Sequence, residues 1–413
     1  MRRVAVVYDV GSAEVLEIVA ALDGLAEPVF VCPRSAHGPQ PVDLMAEFGP
    51  VCDIGGRTVT DAARALEAHR LDGITTFSEF QLALTALLAQ ALSLPFHTPD
   101  VTDRLTHKHL QRSLLNEHGV SDVPVRPVQD APEARRALAE IGAPAVLKPD
   151  VGAGSRDTYD IRRTEDLERA CADVFARGDA DGAPRRFVLE GRIKGAPGTA
   201  PWGDYVSVES AVVDGRIAHL AVTGKFPLAE PFRETGSFLP AQLPEESLTV
   251  VRGLVTRALQ ALRVRWGICH TEVKLTPSGF QVIEVNGRLG GQINDLLARA
   301  AGIDTVRLAA RIALRDADAF GQAASVRCRG VAFQHFPAAP RHASRLVAIE
   351  GIPDLRALPH VSRVTLKKEP GSAVDWRNGR LDTVYVCHGA TTTHSELAAL
   401  LDEIHRTVRV RYA

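Results

Sequence analysis

His270-Thr-Glu272-Val-Lys274-Leu-Thr-Pro-Ser-Gly-Phe-Gln-Val-Ile-Glu284-Val-Asn286-Gly-Arg288 is the stretch on which the fold turns. Two apolar-polar runs flank Pro277-Ser278-Gly279, which reads as a β-hairpin. Glu284 and Asn286 are two residues apart and so share one sheet face. With a three-residue loop, 277–279, Thr276 pairs with Phe280 and Glu272 lands opposite Glu284. Like charges facing each other across a ladder are destabilising unless something sits between them. A hard cation fills that role, and two carboxylates plus an amide oxygen suit Mg²⁺, whose other positions go to water and phosphate. A loop with an even number of residues would turn Glu284 to the opposite face. Glu284 also lies in the apolar run Val-Ile-Glu-Val, where an uncompensated carboxylate is costly.

Upstream, Ala145-Val-Leu-Lys148-Pro-Asp-Val-Gly152-Ala-Gly154-Ser155-Arg156 delivers a lysine from a strand into a small-residue loop. Glycines there let backbone N–H groups approach an anion. The run lacks Gly-Lys-Ser/Thr, so it is not a Walker loop. A strand and not a helix follows it, so it is not a dinucleotide fingerprint. A hairpin flap over phosphates and a plain turn both fit it. Val188-Leu-Glu190 and Gly203-Asp204-Tyr-Val-Ser-Val-Glu209 mark two further strand ends.

The surrounding pattern places these motifs. Over residues 1–97, strands at Val4–Tyr8, Val29–Cys32, Val51–Asp53 and Gly73–Phe77 alternate with amphipathic helices at 12–22, 58–70 and 79–92, as in a doubly wound parallel sheet. Its ligand edge falls at the strand carboxyl ends, Asp9-Val-Gly11-Ser12 and Ser78-Glu79; Gly11-Ser12 reads equally well as a helix cap. A helix at 103–118 follows, carrying Lys108 and Arg112 one turn apart. Residues 98–190 then read as that helix and a small strand-helix unit, 191–325 as mainly strands with a helix at 245–263, and 326–413 as an α+β tail closing with a helix at 394–409.

Composition sets the boundaries. The 413 residues carry a formal net charge of −2 and 45% hydrophobic residues, which argues against a general nucleic-acid or membrane-surface binder. No apolar run reaches bilayer length, and the opening strand is not a signal peptide. Six scattered cysteines without a Cys-x-x-Cys read as free thiols of a cytoplasmic protein. The fourteen histidines give no zinc spacing, and no Ser/His/Asp or Cys/His set stands out. Seven lysines stand against 41 arginines. Five of the seven (108, 148, 194, 225, 274) fall in or beside these motifs, which a coding bias toward arginine does not explain.

The ordered set Lys108, Lys148-Pro-Asp, Gly-x-Gly-Ser, Glu190, Asp204-x-x-Ser-Val-Glu, Glu272 and Glu284-x-Asn286-x-Arg288 resembles the ATP-grasp superfamily. The resemblance implies an ATP-grasp fold, α/β and α+β: an N-terminal doubly wound domain (1–97), a linker helix and lid subdomain (98–190), a catalytic core (191–325) and a C-terminal α+β subdomain (326–413). It implies ATP with Mg²⁺ or Mn²⁺ as cofactors. Lys108, Lys148, Gly152, Gly154 and Ser155 would hold phosphates, Glu190 the adenine and Asp204 the ribose. Asp204 is shorter than the family's usual Glu. Glu272, Glu284 and Asn286 match the metal ligands, and Arg288 the arginine that steadies an acyl-phosphate.

Phe232-Arg-Glu234-Thr-Gly-Ser-Phe-Leu-Pro240 and the His270 run are similar to L-amino acid ligases of the bacilysin-synthetase type, which puts Glu234 and Lys274 with Arg288 in the catalytic set. The activity implied is amide formation from a small carboxylate and an amine, both amino acids, with release of ADP and phosphate. Glu79, Arg233, Glu234, His270, Arg288 and Gln292 are the candidate walls of the substrate pocket. No nucleic acid or membrane partner is implied, and a homodimer is common in such families. A carboxylating or formylating ATP-grasp enzyme and a non-catalytic nucleotide-sensing module are the alternatives. The second of these would have lost the metal ligands.

Overall fold

The computed structural model describes residues 1–33, 39–177 and 185–413. Strands Val51–Asp53, Glu27–Cys32, Arg3–Val7 and Gly73–Thr75 form, in that order, an entirely parallel sheet. This is the expected doubly wound unit, with a helix Pro39–Phe48 that the sequence reading did not place. Gly11-Ser12 is not a helix cap: the helix starts at Val15. Ser12 instead donates from its backbone and its hydroxyl to the Phe77 carbonyl, at 2.8 and 3.0 Å. A Cβ on Gly11 would sit 2.1 Å from that same oxygen, so the residue must be glycine for the two edge loops to touch. The contact holds the Ser78-Glu79 loop at the carboxyl edge of the sheet.

The expected helix at 103–118 is two helices, Pro99–Thr106 and Lys108–Glu117, separated at His107 by extended backbone (φ −91°, ψ 107°). Asp150, two residues beyond Lys148, supplies the missing cap. Its carbonyl accepts from Lys108 N and its carboxylate from His109 N, both at 3.0 Å. Breaking the helix makes Lys108 the first residue of a new one and ties it to the strand that carries Lys148. That strand, Ala145–Pro149, lies in an antiparallel sheet ordered Val125–Val128, Phe187–Gly191, Ala145–Pro149, Tyr159–Ile161.

The largest sheet has eight strands in the order Gly279–Asn286, Trp266–Thr276, Tyr205–Val213, Arg216–Lys225, Gly236–Leu239, Val331–His335, Tyr385–Thr391, Val361–Leu366. It runs without interruption across the expected boundary at 325/326. The closing helix, expected to reach 409, ends at Thr407, and Arg409–Tyr412 is a strand paired with Leu346–Glu350.

The hairpin Trp266–Asn286 departs from expectation in an instructive way. Its loop is two residues, Pro277-Ser278, with Thr276 opposite Gly279. Alone, that would turn Glu284 to the wrong face. A β-bulge corrects it: Val273 pairs with Val282, Glu272 pairs with Glu284, and Ile283 is the extra residue. The buried Arg112 occupies the bulge, its two terminal nitrogens donating to the Val282 carbonyl at 2.6 Å and the Ile283 carbonyl at 2.5 Å. Its chain neighbour Gln111 exchanges two hydrogen bonds with the backbone of Val285, at 2.8 and 2.7 Å. Helix Lys108–Glu117 thus covers the outer edge of the sheet as another strand would.

At the other end of this hairpin, helix Ile293–Ala301 starts soon after Arg288. In its first turn, Asp295 accepts from Arg299 at 2.8 Å and Arg363 at 3.1 Å, with His388 Nδ1 at 3.0 Å. Burial opposes the Asp295 charge, but His388 and Arg299 outweigh it and hold the carboxyl far below the usual range. Among the described residues, no helix is long and apolar enough to cross a membrane, and none of the six cysteines is in a disulfide.

Arg112→Met should destabilise the fold by about 3–5 kcal/mol in chemical denaturation, because it orphans bulge carbonyls and removes a buried countercharge. Asp295→Asn should cost about 2 kcal/mol at neutral pH. Because the folded-state pKa lies below the unfolded one, that cost should be full above about pH 5 and fade as the pH falls below about 4.

Candidate active site

Three adjacent strands turn one polar face to a single cleft. Tyr205, Ser207 and Glu209 stand opposite Lys274, Glu272 and His270, and the bulge sets Glu284 and Asn286 beside the latter two. Alternation along each strand places these residues together, and the bulge restores that alternation. The cleft is lined by Lys108, Lys148, Gly152, Gly154, Ser155, Glu190, Glu234, Glu272, Lys274, Glu284, Asn286 and Arg288, together with His270, Tyr205 and Arg380. Every residue expected to act in catalysis or to hold nucleotide or metal, except Asp204, is therefore on its wall.

At the end nearest the helix break, Lys108 Nζ donates to the Gly152 carbonyl at 2.7 Å and lies 3.7 Å from Glu284 Oε2. Lys148 Nζ donates to Glu190 Oε1 at 2.5 Å, and Arg112 Nε lies 3.5 Å from the other oxygen. Burial disfavours the charges of Glu190 and Glu284. The neighbouring lysines outweigh it, keeping both carboxyls below the usual range. Asn286 Nδ2 donates to Glu284 Oε1 at 3.3 Å, and its Oδ1 accepts from Arg288 at 3.3 Å.

No group of three or more His, Cys, Asp or Glu among the described residues could hold a metal ion alone. Two facing carboxylates and an amide fit Mg²⁺ only if water and phosphate oxygens complete its shell, which is the usual arrangement for that ion beside a nucleotide.

At the far end the charges are paired. Lys225 Nζ donates to Glu234 Oε1 at 2.8 Å. Burial penalises the Glu234 carboxylate, yet Lys225 and then Arg380 bring it down to about 2. His270 Nδ1 is 2.9 Å from both oxygens of the fully buried Glu209. Burial lowers the proton affinity of His270, but Glu209 prevails and raises it to about 9, which makes this an imidazolium–carboxylate pair at neutral pH. Lys274 Nζ donates to Asp204 at 2.6 Å. Asp204 thus pairs with Lys274 and is off the cleft lining.

The wall residues fare unevenly. Arg233 donates to the carbonyls of Glu230 and Ala339 and does not line the cleft. Gln292 adopts left-handed backbone before helix Ile293–Ala301, also off the lining. Glu79 Oε2 lies 2.9 Å from Arg288 Nε, though not aligned for a hydrogen bond. Burial drives its carboxyl above the usual range despite that arginine. Arg112 and Arg380 were not anticipated as parts of the site, and Glu209 stood only as the end of a motif with no role of its own. Helical spacing already put Arg112 on the Lys108 face, but nothing local signals Arg380, far along the chain.

The family described as ATP-grasp domain matches residues 141–295. Carnosine synthase 1 of Homo sapiens is 29% identical over 318 residues, 70% of this chain and 37% of its own. An alanine–anticapsin ligase of Bacillus subtilis is 28% identical over 227 residues, 52% of this chain and 48% of its own. The chain thus spans less than two thirds of the length of these curated relatives. The crystal structure of an L-amino acid ligase from Bacillus licheniformis superposes with a TM-score of 0.80 at 22% identity, covering 100% of this chain and 99% of that one. Residues 141–295 therefore match an ATP-grasp domain, and the chain has the fold of an ATP-grasp ligase over its whole length.

Proposed function

We propose that this protein is an ATP-dependent carboxylate–amine ligase that joins two amino acids, or close analogues, through an acyl-phosphate. One observation carries the reading. Glu272 and Glu284 are held face to face by the bulge, with Lys108, Lys148 and the glycine loop beside them. A bare pair of facing carboxylates would be a liability in a sheet, so the arrangement makes sense around a cation and phosphates.

In this reading Lys108 and Lys148 bind the phosphates of ATP, the backbone of the Gly152–Ser155 loop covers them, and the chain leaving Glu190 holds the base. Glu272, Glu284 and Asn286 would hold Mg²⁺, which when bound neutralises phosphate charge. The substrate carboxylate attacks the γ-phosphorus and ADP leaves. Arg288 faces the new acyl-phosphate, whose phosphate then departs as the amine nitrogen attacks the carbonyl. Catalysis on this scheme is positioning and electrostatics, with no protein nucleophile. Glu234, buried but ionised beside Lys225, is placed to receive a substrate ammonium. Asp204 acts by holding Lys274. Six cysteines outside any disulfide suit a reducing compartment, the cytoplasm.

A screen of amino-acid pairs for ADP release, with mass spectrometry of the products, tests the reading; no ADP from any pair would refute it. Glu284→Ala should abolish turnover while the circular dichroism and thermal unfolding profiles stay near wild type. Lys108→Ala should lower kcat/KM for ATP by about 100-fold. Removing divalent metal with a chelator should stop ADP release, and added Mg²⁺ should restore it.

A further inference from the structure

The 3₁₀ stretch Trp376–Asp382 belongs to the C-terminal part of the chain, yet it is built into the wall of the cleft. Arg380 N donates to the Gly154 carbonyl at 3.0 Å, and Asp157 N donates to the Arg377 carbonyl at 2.9 Å. Trp376 packs edge-on to Tyr159, ring centroids 5.2 Å apart, inside the core of the small sheet. Gly379 has φ 57° and ψ −128°. A Cβ there would meet the Gly154 carbonyl at 2.0 Å, so glycine is required for the approach. The backbone of this segment therefore fixes where the Arg380 side chain begins.

That side chain lies over the Phe336 ring, 4.9 Å from its centroid, and enters the cleft beside Gly291 and Glu234. Its partners are poor. Among the described residues, one side-chain hydrogen bond is present, to the Gly291 carbonyl at 3.4 Å, and one ion-pair contact, 3.8 Å from Glu234 Oε2. Glu234 already has Lys225 on its other oxygen. Lys274 is matched by Asp204, and His270 by Glu209. Among the cations beside Glu234 and His270, Arg380 is thus the one with most of its five donors unspent.

We propose that Arg380 receives the carboxylate of the incoming amine substrate, which makes that substrate an amino acid with a free carboxylate and not a simple amine. The proposal rests on the ligase reading for the name of its ligand. The donor substrate spends its carboxylate at the phosphoryl group near Arg288, whereas the acceptor keeps its own. A planar fork with unspent donors is the side chain best matched to a carboxylate, and Glu234 keeps Lys225 on its other oxygen when Arg380 turns to a ligand.

The test is binding, separate from turnover. Wild type, Arg380→Gln and Arg380→Lys, each loaded with ADP and Mg²⁺, are titrated calorimetrically with every proteinogenic L-amino acid and with its α-carboxamide. At least one free acid should bind wild type, weaken about 10- to 100-fold in Arg380→Gln and less in Arg380→Lys, while its carboxamide binds all three proteins equally. ADP affinity should be unchanged. Equal weakening of acid and carboxamide, an acid indifferent to the substitution, or no amino acid bound by wild type would each overturn the proposal. Amino-acid binding through Arg380 without ADP release from any pair would instead overturn the ligase reading alone.

Discussion

A single buried guanidinium governs this site. Arg112 reaches from the helix that Lys108 begins, satisfies the two carbonyls that the bulge leaves free, and lies 3.5 Å from the carboxylate of Glu190, which in turn holds Lys148. Helix, sheet edge and lysine strand meet at that one side chain. Without the bulge the hairpin would still be a hairpin, but Glu284 would face the apolar side of the sheet. The cost of burying an arginine is met because four separate groups accept or oppose its charge, Ser121 being the fourth.

Alternation, capping and charge economy made much of this legible from the residues. The parallel N-terminal unit, the strand that ends in Lys148, and the facing of Glu272 and Glu284 were all foreseen. The last was foreseen for the wrong reason. Counting residues through Pro277–Gly279 cannot reveal that a short loop and an extra residue cancel, because a bulge is stabilised by a side chain 170 residues away. The break at His107 escaped for the same reason, since its cap is Asp150. Arg380 had no local signature at all. In each case the missing information was a tertiary partner.

The scarcity of lysine also acquires a physical account. Lys108 and Lys148 face the glycine loop and Glu190, while Lys225 and Lys274 neutralise Glu234 and Asp204. Lys368, for which the sequence suggested no role, is 2.6 Å from Asp382 at the end of the segment that carries Arg380. These are contacts of a compact charge to one or two oxygens, the geometry an ammonium serves well. Arginine takes the positions where several acceptors must be spanned at once, as Arg112 does.

Gly379 and Gly154 touch so closely that neither strand of chain can be changed alone. The two segments are far apart in sequence and sit on either side of the boundary that a modular view of the chain would draw. Recombining the C-terminal part of this protein with the front half of a relative would join backbones that were never fitted to each other at this point. A chimera across that boundary therefore has to move residues 152–157 together with 376–382, as one inherited unit.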